Sequence, residues 1–156
     1  MKPQIIVIYG GRSAEHDISL KSAMSVINAI DRNKFEVIAV YISREGIWRH
    51  IGTISRTIED ESELVCAQSD SADLPGSIGN SIAQLFKHAN VRAVFPVIHG
   101  TNGEDGTLQG LLELLNAAYV GCGVAASAAG MDKVMTKQIM RAAGIPQADF
   151  LSFRVN

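Results

Sequence analysis

Apolar side chains in this chain fall into short unbroken runs that alternate with stretches of helical spacing. Gln4 to Tyr9 (QIIVIY) is rich in β-branched residues and is stopped by Gly10-Gly11. Such a run predicts a strand buried on both faces, at the centre of a parallel sheet. From Ser19 to Ile30, the residues Leu20, Ala23, Met24, Ile27 and Ile30 share one side of a predicted helix. Phe35 to Ile42 (FEVIAVYI) reads as a second strand, with Gly46-Ile47-Trp48 closing a small hairpin outside the main sheet. Between Gly52 and about Gly79 neither period persists, which predicts a variable surface excursion. Helical spacing resumes from Ile78 to His88, and Val91 to Ile98 (VRAVFPVI) is a third strand that Pro96 brings towards its end.

Past a glycine-rich turn from His99 to Gly106, Thr107 to Asn116 aligns Leu108, Leu111, Leu112 and Leu115 on one helical face. Tyr119-Val120-Gly121 predicts a short strand. Val124 to Ala143 predicts a helical region bent or broken near Gly130 and stopped by Gly144-Ile145-Pro146, and Ala148 to Val155 begins another strand. Leu111, Leu112, Met135 and Met140 are expected in the core. Strands alternating with helices predict an α/β fold whose parallel sheet gathers ligands beyond the carboxyl ends of its strands.

Composition narrows the class. With 156 residues, 47% of them hydrophobic and 19% charged, the chain suits one folded domain that needs no metal or disulfide to hold its core. The 14 basic residues against 16 acidic ones leave a net charge of −2, which argues against a nucleic-acid partner. No apolar run approaches the roughly 20 residues of a membrane span, so no membrane association is expected. Met1-Lys2-Pro3-Gln4 and the short run after it lack the pattern of a secretion signal, which predicts a cytoplasmic protein. Cys66 and Cys122 are the only cysteines and read as structural thiols outside any disulfide framework.

Two polar, glycine-punctuated corners follow strands and therefore belong on the ligand side. In the first, Gly10 to Asp17, paired glycines permit close backbone approach, and Glu15 could hold an ammonium group through a charge-assisted hydrogen bond. Helix capping by Ser13, Glu15 or Asp17 is the simpler account of that corner. The GxGxxG dinucleotide fingerprint is absent. In the second, His99 to Gly106, His99 could donate to a carboxylate or acyl phosphate, and amides at the start of the following helix could face an anionic oxygen. Capping by Glu104 and Asp105 competes with that reading, and no second ligand cluster points to a metal. Lys133 could neutralise phosphate oxygens. Asp132 and Lys137 read as solvated helix charges, His16, His50 and His88 as surface residues, and Trp48 as local packing.

Three segments, YGGRSAEHDISLKSA at Tyr9 to Ala23, HGTNGEDGTLQGLLEL at His99 to Leu114 and YVGCGVAASAAGMDK at Tyr119 to Lys133, occur in the same order in one family. In them the chain resembles the amino-terminal part of the D-alanine:D-alanine ligases of the ATP-grasp superfamily. The resemblance implies a Rossmann-like three-layer α/β domain with a parallel sheet, the pre-ATP-grasp domain of these enzymes. It also implies a ligase that uses ATP and Mg2+ to phosphorylate one D-alanine, whose acyl phosphate is attacked by the amine of a second to make a peptidoglycan precursor. By matching motif, Glu15 would anchor the first ammonium, Ile18 would line the pocket near the second substrate, His99 and Gly100 would lie at the reacting carboxylate, and Lys133 would reach ATP phosphates. A homodimer is the implied assembly.

The family has three domains, and residues 1–156 correspond to the first. The metal ligands would lie outside it, and the isolated chain is expected to make no D-alanyl-D-alanine. Related readings are a D-alanine:D-lactate or D-alanine:D-serine ligase, a non-catalytic dimerisation or binding module and, on fold grounds alone, a dehydrogenase. A fragment of this kind should also expose an apolar patch near the strand carboxyl ends.

Overall fold

Residues 2–66, 73–86 and 90–153 are described by the computed structural model; His88 and Val155, assigned above to a helix and a strand, lie outside them. Strands β1 (Gln4–Gly10), β2 (Glu36–Ile42), β3 (Trp48–Thr53) and β4 (Val91–Pro96) form one sheet in the order β3-β2-β1-β4. β1 pairs in parallel with both β2 and β4, as its unbroken apolar run predicts. The pleat divides that run between two cores. Val7 and Tyr9, with Val37, Ala39 and Tyr41 of β2, pack against α1 (His16–Ala29) through Leu20, Ala23 and Ile27. Ile6 and Ile8, with Ile38, Val40 and Ile42, face the opposite way onto Leu85 of α2 (Leu74–Phe86) and Leu108 and Leu112 of α3 (Thr107–Leu114). Three layers result, with the chain leaving β1 and β4 at the same rim.

Several expectations are corrected. The hairpin after β2 is no appendage: β3 pairs antiparallel with β2 from Ile38↔Thr53 to Ile42↔Trp48 and covers an edge that would otherwise present unpaired amides. Trp48 packs locally on the second core, as expected. The segment after Gly52 is not wholly superficial. Ile58 and Leu64 are buried beside α1, held by paired bonds between Asn28 and Ile58 (2.9 Å each) and by the Tyr9 hydroxyl donating to the Leu64 carbonyl at 2.9 Å. Two apolar anchors in a polar stretch are enough to tie it down and too few to make a period. Helix α2 starts at Leu74, behind Asp73, whose carboxylate accepts from the Gly76 amide at 2.7 Å.

Tyr119 makes a single bridge to Val94 rather than a strand, and no strand forms over 148–153. The predicted bend near Gly130 lies at Asp132. That residue is extended, and its carboxylate caps α5 (Lys133–Ala142) by accepting from the Met135 amide at 2.9 Å, so it is not a free surface charge. α4 (Val124–Met131) precedes it. No residue of α5 is buried, and Met135 and Met140 stand exposed instead of in the core. Lys137 and Arg141 both lie over the Phe150 ring, within 5.6 Å and 5.1 Å. The exposed large apolar side chains concentrate on α4, α5 and the segment after them, with Ile18 on the first turn of α1. Cys66 is half-buried and Cys122 exposed, both as free thiols.

Candidate functional site

The first corner is shaped by crowding. Gly10 and Gly11 have φ of +90° and +100°, and a Cβ at Gly10 would lie 2.2 Å from the Ile42 carbonyl oxygen, to which the Gly11 amide donates at 2.8 Å. Only glycine lets β1 turn beside the end of β2. The chain then enters α1 at His16, three residues earlier than its apolar period indicates. His16 is buried, contrary to its reading as a surface residue. Its Nδ1 donates to the Gly11 carbonyl at 2.6 Å, and its Nε2 lies 3.3 Å from the Tyr41 hydroxyl.

Serines join this corner to the second. Ser19, fully buried, accepts from the Gly10 amide at 2.7 Å and donates to the Val97 carbonyl at 2.5 Å, linking the chain just after β4 to the end of β1. Ser13 donates to the His99 carbonyl at 2.7 Å and accepts from the Glu15 amide at 3.1 Å. Ser22, one turn along α1 from Ser19, lies 3.0 Å from Nε2 of His99. Sequence reasoning gave none of these a site role. Their visible signal is the i, i+3 spacing of Ser19 and Ser22, which puts both hydroxyls on the helix face towards the second corner.

The second corner is tied to itself. The Gly100 amide donates to Glu104 at 2.8 Å, and Asp105 accepts from the amides of Asn102 at 2.8 Å and Thr107 at 3.0 Å. Burial pushes the Asp105 carboxyl up, but those amide bonds outweigh it and hold the group below the usual carboxylate range. The capping account thus applies to Asp105. The Thr107 amide, expected to be open to an anion, is already taken. A Cβ at Gly103 would lie 2.4 Å from the Ile98 carbonyl oxygen, so this turn too has room only for glycine.

The corners meet at Gly100, whose φ is +73°. A Cβ there would sit 2.9 Å from a carboxylate oxygen of Glu15 and 3.2 Å from the Ser13 Cβ. Glu15 occupies the N-cap position of α1 yet makes no side-chain capping bond, so the capping account fails for it, and its carboxylate accepts no hydrogen bond among the described residues. Asp17 is engaged with Arg44 at 2.5 Å. His99 Nδ1 stands 3.7 Å from Glu104. His99, Glu104, Gln109, Ser127 and Lys133 line one cavity of about 570 Å3. Ile18 is 51% exposed and is not among that cavity's lining residues, and neither is Glu15. Among the described residues, no group of three or more His, Cys, Asp or Glu side chains is placed to hold a metal ion. No helix among them is long and apolar enough to cross a membrane.

A mostly parallel α/β sheet with polar corners converging at its carboxyl rim is the architecture of a small-molecule-binding domain. The sequence profile described as "D-ala D-ala ligase N-terminus" matches residues 4–122, and the chain belongs to that family. It is 44% identical to the D-alanine--D-alanine ligase of Geobacillus thermodenitrificans and 46% identical to that of Bacillus pumilus, over 97% and 98% of its own length. It spans 43% of each of those relatives. Among solved structures, the D-alanine-D-alanine ligase from Coxiella burnetii superposes with a TM-score of 0.71 at 36% identity, over 95% of this chain and 43% of that one. The VanG D-Ala:D-Ser ligase from Enterococcus faecalis gives 0.65 at 32%, over 93% and 43%.

Proposed function

We propose that this chain supplies the substrate-binding corner of an ATP-dependent D-alanine:D-alanine ligase. The observation that carries the reading is the Glu15 carboxylate, exposed and without a partner among the described residues, lying against Gly100 at the rim where His99 is held. A small zwitterion needs an anion for its ammonium and a donor for its carboxylate, and Glu15 and His99, on the two corners that meet at Gly100, would supply them. Glu15 would bind the first D-alanine's ammonium, and the imidazole would donate towards its carboxylate as charge develops there. Gly100 would act through its missing Cβ, because its amide is committed to Glu104. Ile18 would line the approach of the second substrate.

Lys133 lines the cavity that His99 shares and has a charge suited to ATP phosphate oxygens. ATP, when bound, would supply the phosphoryl group that activates the carboxylate. The described residues gather no carboxylate set for Mg2+, so no step is assigned to the metal here. Ligation, a cytoplasmic setting, a homodimer and a role in peptidoglycan synthesis would be properties of a whole ligase, of which this chain spans 43% in the relatives it matches. The segment is also similar to a D-Ala:D-Ser ligase, so overall likeness does not select D-alanine over D-serine as the second substrate.

The test is a titration of the 15N-labelled chain with D-alanine, using L-alanine and the Glu15→Gln variant as controls. Amides of both corners are expected to shift with D-alanine in the wild type and to lose that response in the variant. No D-alanine-selective shift, or the same shift in Glu15→Gln, would overturn the reading.

A further inference from the structure

Both edges of the His99 imidazole are flanked by protein groups of different kinds. On one, Ser22 Oγ lies 3.0 Å from Nε2. On the other, Glu104 Oε1 lies 3.7 Å from Nδ1, too long for a hydrogen bond but close enough for its charge to be felt. Glu104 is itself anchored, because its second oxygen accepts from the Gly100 amide at 2.8 Å. The His99 carbonyl is fixed separately by Ser13 at 2.7 Å. The backbone is therefore pinned by one corner and the ring by α1.

We propose that Ser22 is a positioning residue that holds His99 in one ring orientation, so that Glu104 can fix the neutral tautomer with its proton on Nδ1. A carboxylate only accepts, so its field favours a proton on the facing nitrogen, Nδ1. Nε2 then carries the lone pair, and the Ser22 hydroxyl donates to it. When the ring takes up a second proton at Nε2, the same hydroxyl rotates and accepts, so the ring need not turn between its two charge states. The donor edge stays on the Glu104 side, which lines the cavity shared with Lys133. The charged groups of this region are Glu104, 3.7 Å from the ring, Glu15, which lies against Gly100, and Lys133, which lines the same cavity as His99. That this orientation serves a substrate carboxylate rests on the function proposed above; the contact itself does not.

The experiment is long-range 1H–15N NMR of histidine-labelled chain, with His99 assigned by its loss in His99→Gln. Spectra of wild type, Ser22→Ala, Ser22→Thr and Glu104→Gln are compared in the neutral state of the ring. Wild type is expected to show Nδ1 protonated. Because the hydroxyl can serve either tautomer, Ser22→Ala is expected to act through orientation, freeing the ring to turn from Glu104 and moving the tautomer ratio towards Nε2 as Glu104→Gln does, and Ser22→Thr to restore it. Glu104→Gln is expected to move the proton towards Nε2 while the fold, followed by circular dichroism, is retained. A wild-type ring protonated at Nε2, a Ser22→Ala spectrum identical to wild type, or a Ser22→Thr spectrum like that of Ser22→Ala would each overturn the proposal. These spectra contain no D-alanine, so a failed substrate titration leaves this result standing, and the converse also holds.

Discussion

Gly100→Ala tests the meeting of the two corners most directly. At φ +73° an alanine pays the left-handed backbone penalty, about 1–2 kcal/mol. Its Cβ would also press on the Ser13 Cβ at 3.2 Å, a contact that must give by a few tenths of an ångström. The Glu15 oxygen at 2.9 Å is the closer obstacle but costs less, being the far end of an exposed side chain that can swing away. Stability should therefore fall by about 1–2 kcal/mol, or roughly 3–6 °C in Tm for a domain of this size. Displacing Glu15 should also weaken D-alanine binding about ten-fold or more, the scale of one charge-assisted hydrogen bond. Gly110→Ala is the control. It lies inside α3 with nothing within 4 Å of the new Cβ, so it should raise Tm by about 1–3 °C. Thermal melts read the stability and the 15N titration reads the ligand. A Gly100→Ala chain that melts at or above the wild-type temperature would refute the geometry, and one that melts lower but binds D-alanine normally would refute the placement of Glu15.

Gly103→Ala should cost more, about 2–3 kcal/mol in urea unfolding, because its Cβ would meet the Ile98 carbonyl oxygen and Cβ at 2.4 Å and 2.5 Å, where the chain itself must move. Tyr9→Phe removes the donor to the buried Leu64 carbonyl and should lower stability by about 1–2 kcal/mol by the same assay; burial also pushes the Tyr9 phenol well above its usual range, so ionisation at high pH opposes the fold. Asp105 has a folded pKa below its unfolded one, so the unfolded chain binds more protons between the two values. Its contribution is present above about pH 4 and is lost as pH falls through the lower folded value, so Asp105→Asn should flatten the acid limb of urea midpoints measured from pH 3 to 7.

The sequence by itself determined the three parallel strands, because strands covered on both faces must be largely apolar: β1 and β2 are apolar after Gln4 and Glu36, while β4, at the edge of the sheet, keeps an apolar run around the exposed Arg92. It determined the two corners for a related reason: glycines in a cluster after a buried strand mark backbone that a side chain would obstruct, as Gly10 and Gly103 prove to do. The roles proposed for Glu15, His99 and Lys133 came from motif likeness: charge and spacing alone put helix capping ahead at Glu15, put binding slightly ahead at His99, and made Lys133 an ordinary exposed lysine. Tertiary structure decided the rest. Whether a polar side chain caps, pairs or stays free depends on what the fold brings beside it, so Asp132 and Asp105 became caps while Glu15, at an N-cap position, did not. His16 turned inward because Tyr41 of β2 offered a partner from another segment beside the local Gly11 carbonyl, and Ser22 reached His99 across 77 residues. Contacts between residues so far apart leave no period along the chain, since they are set by how α1 packs across the ends of β1 and β4.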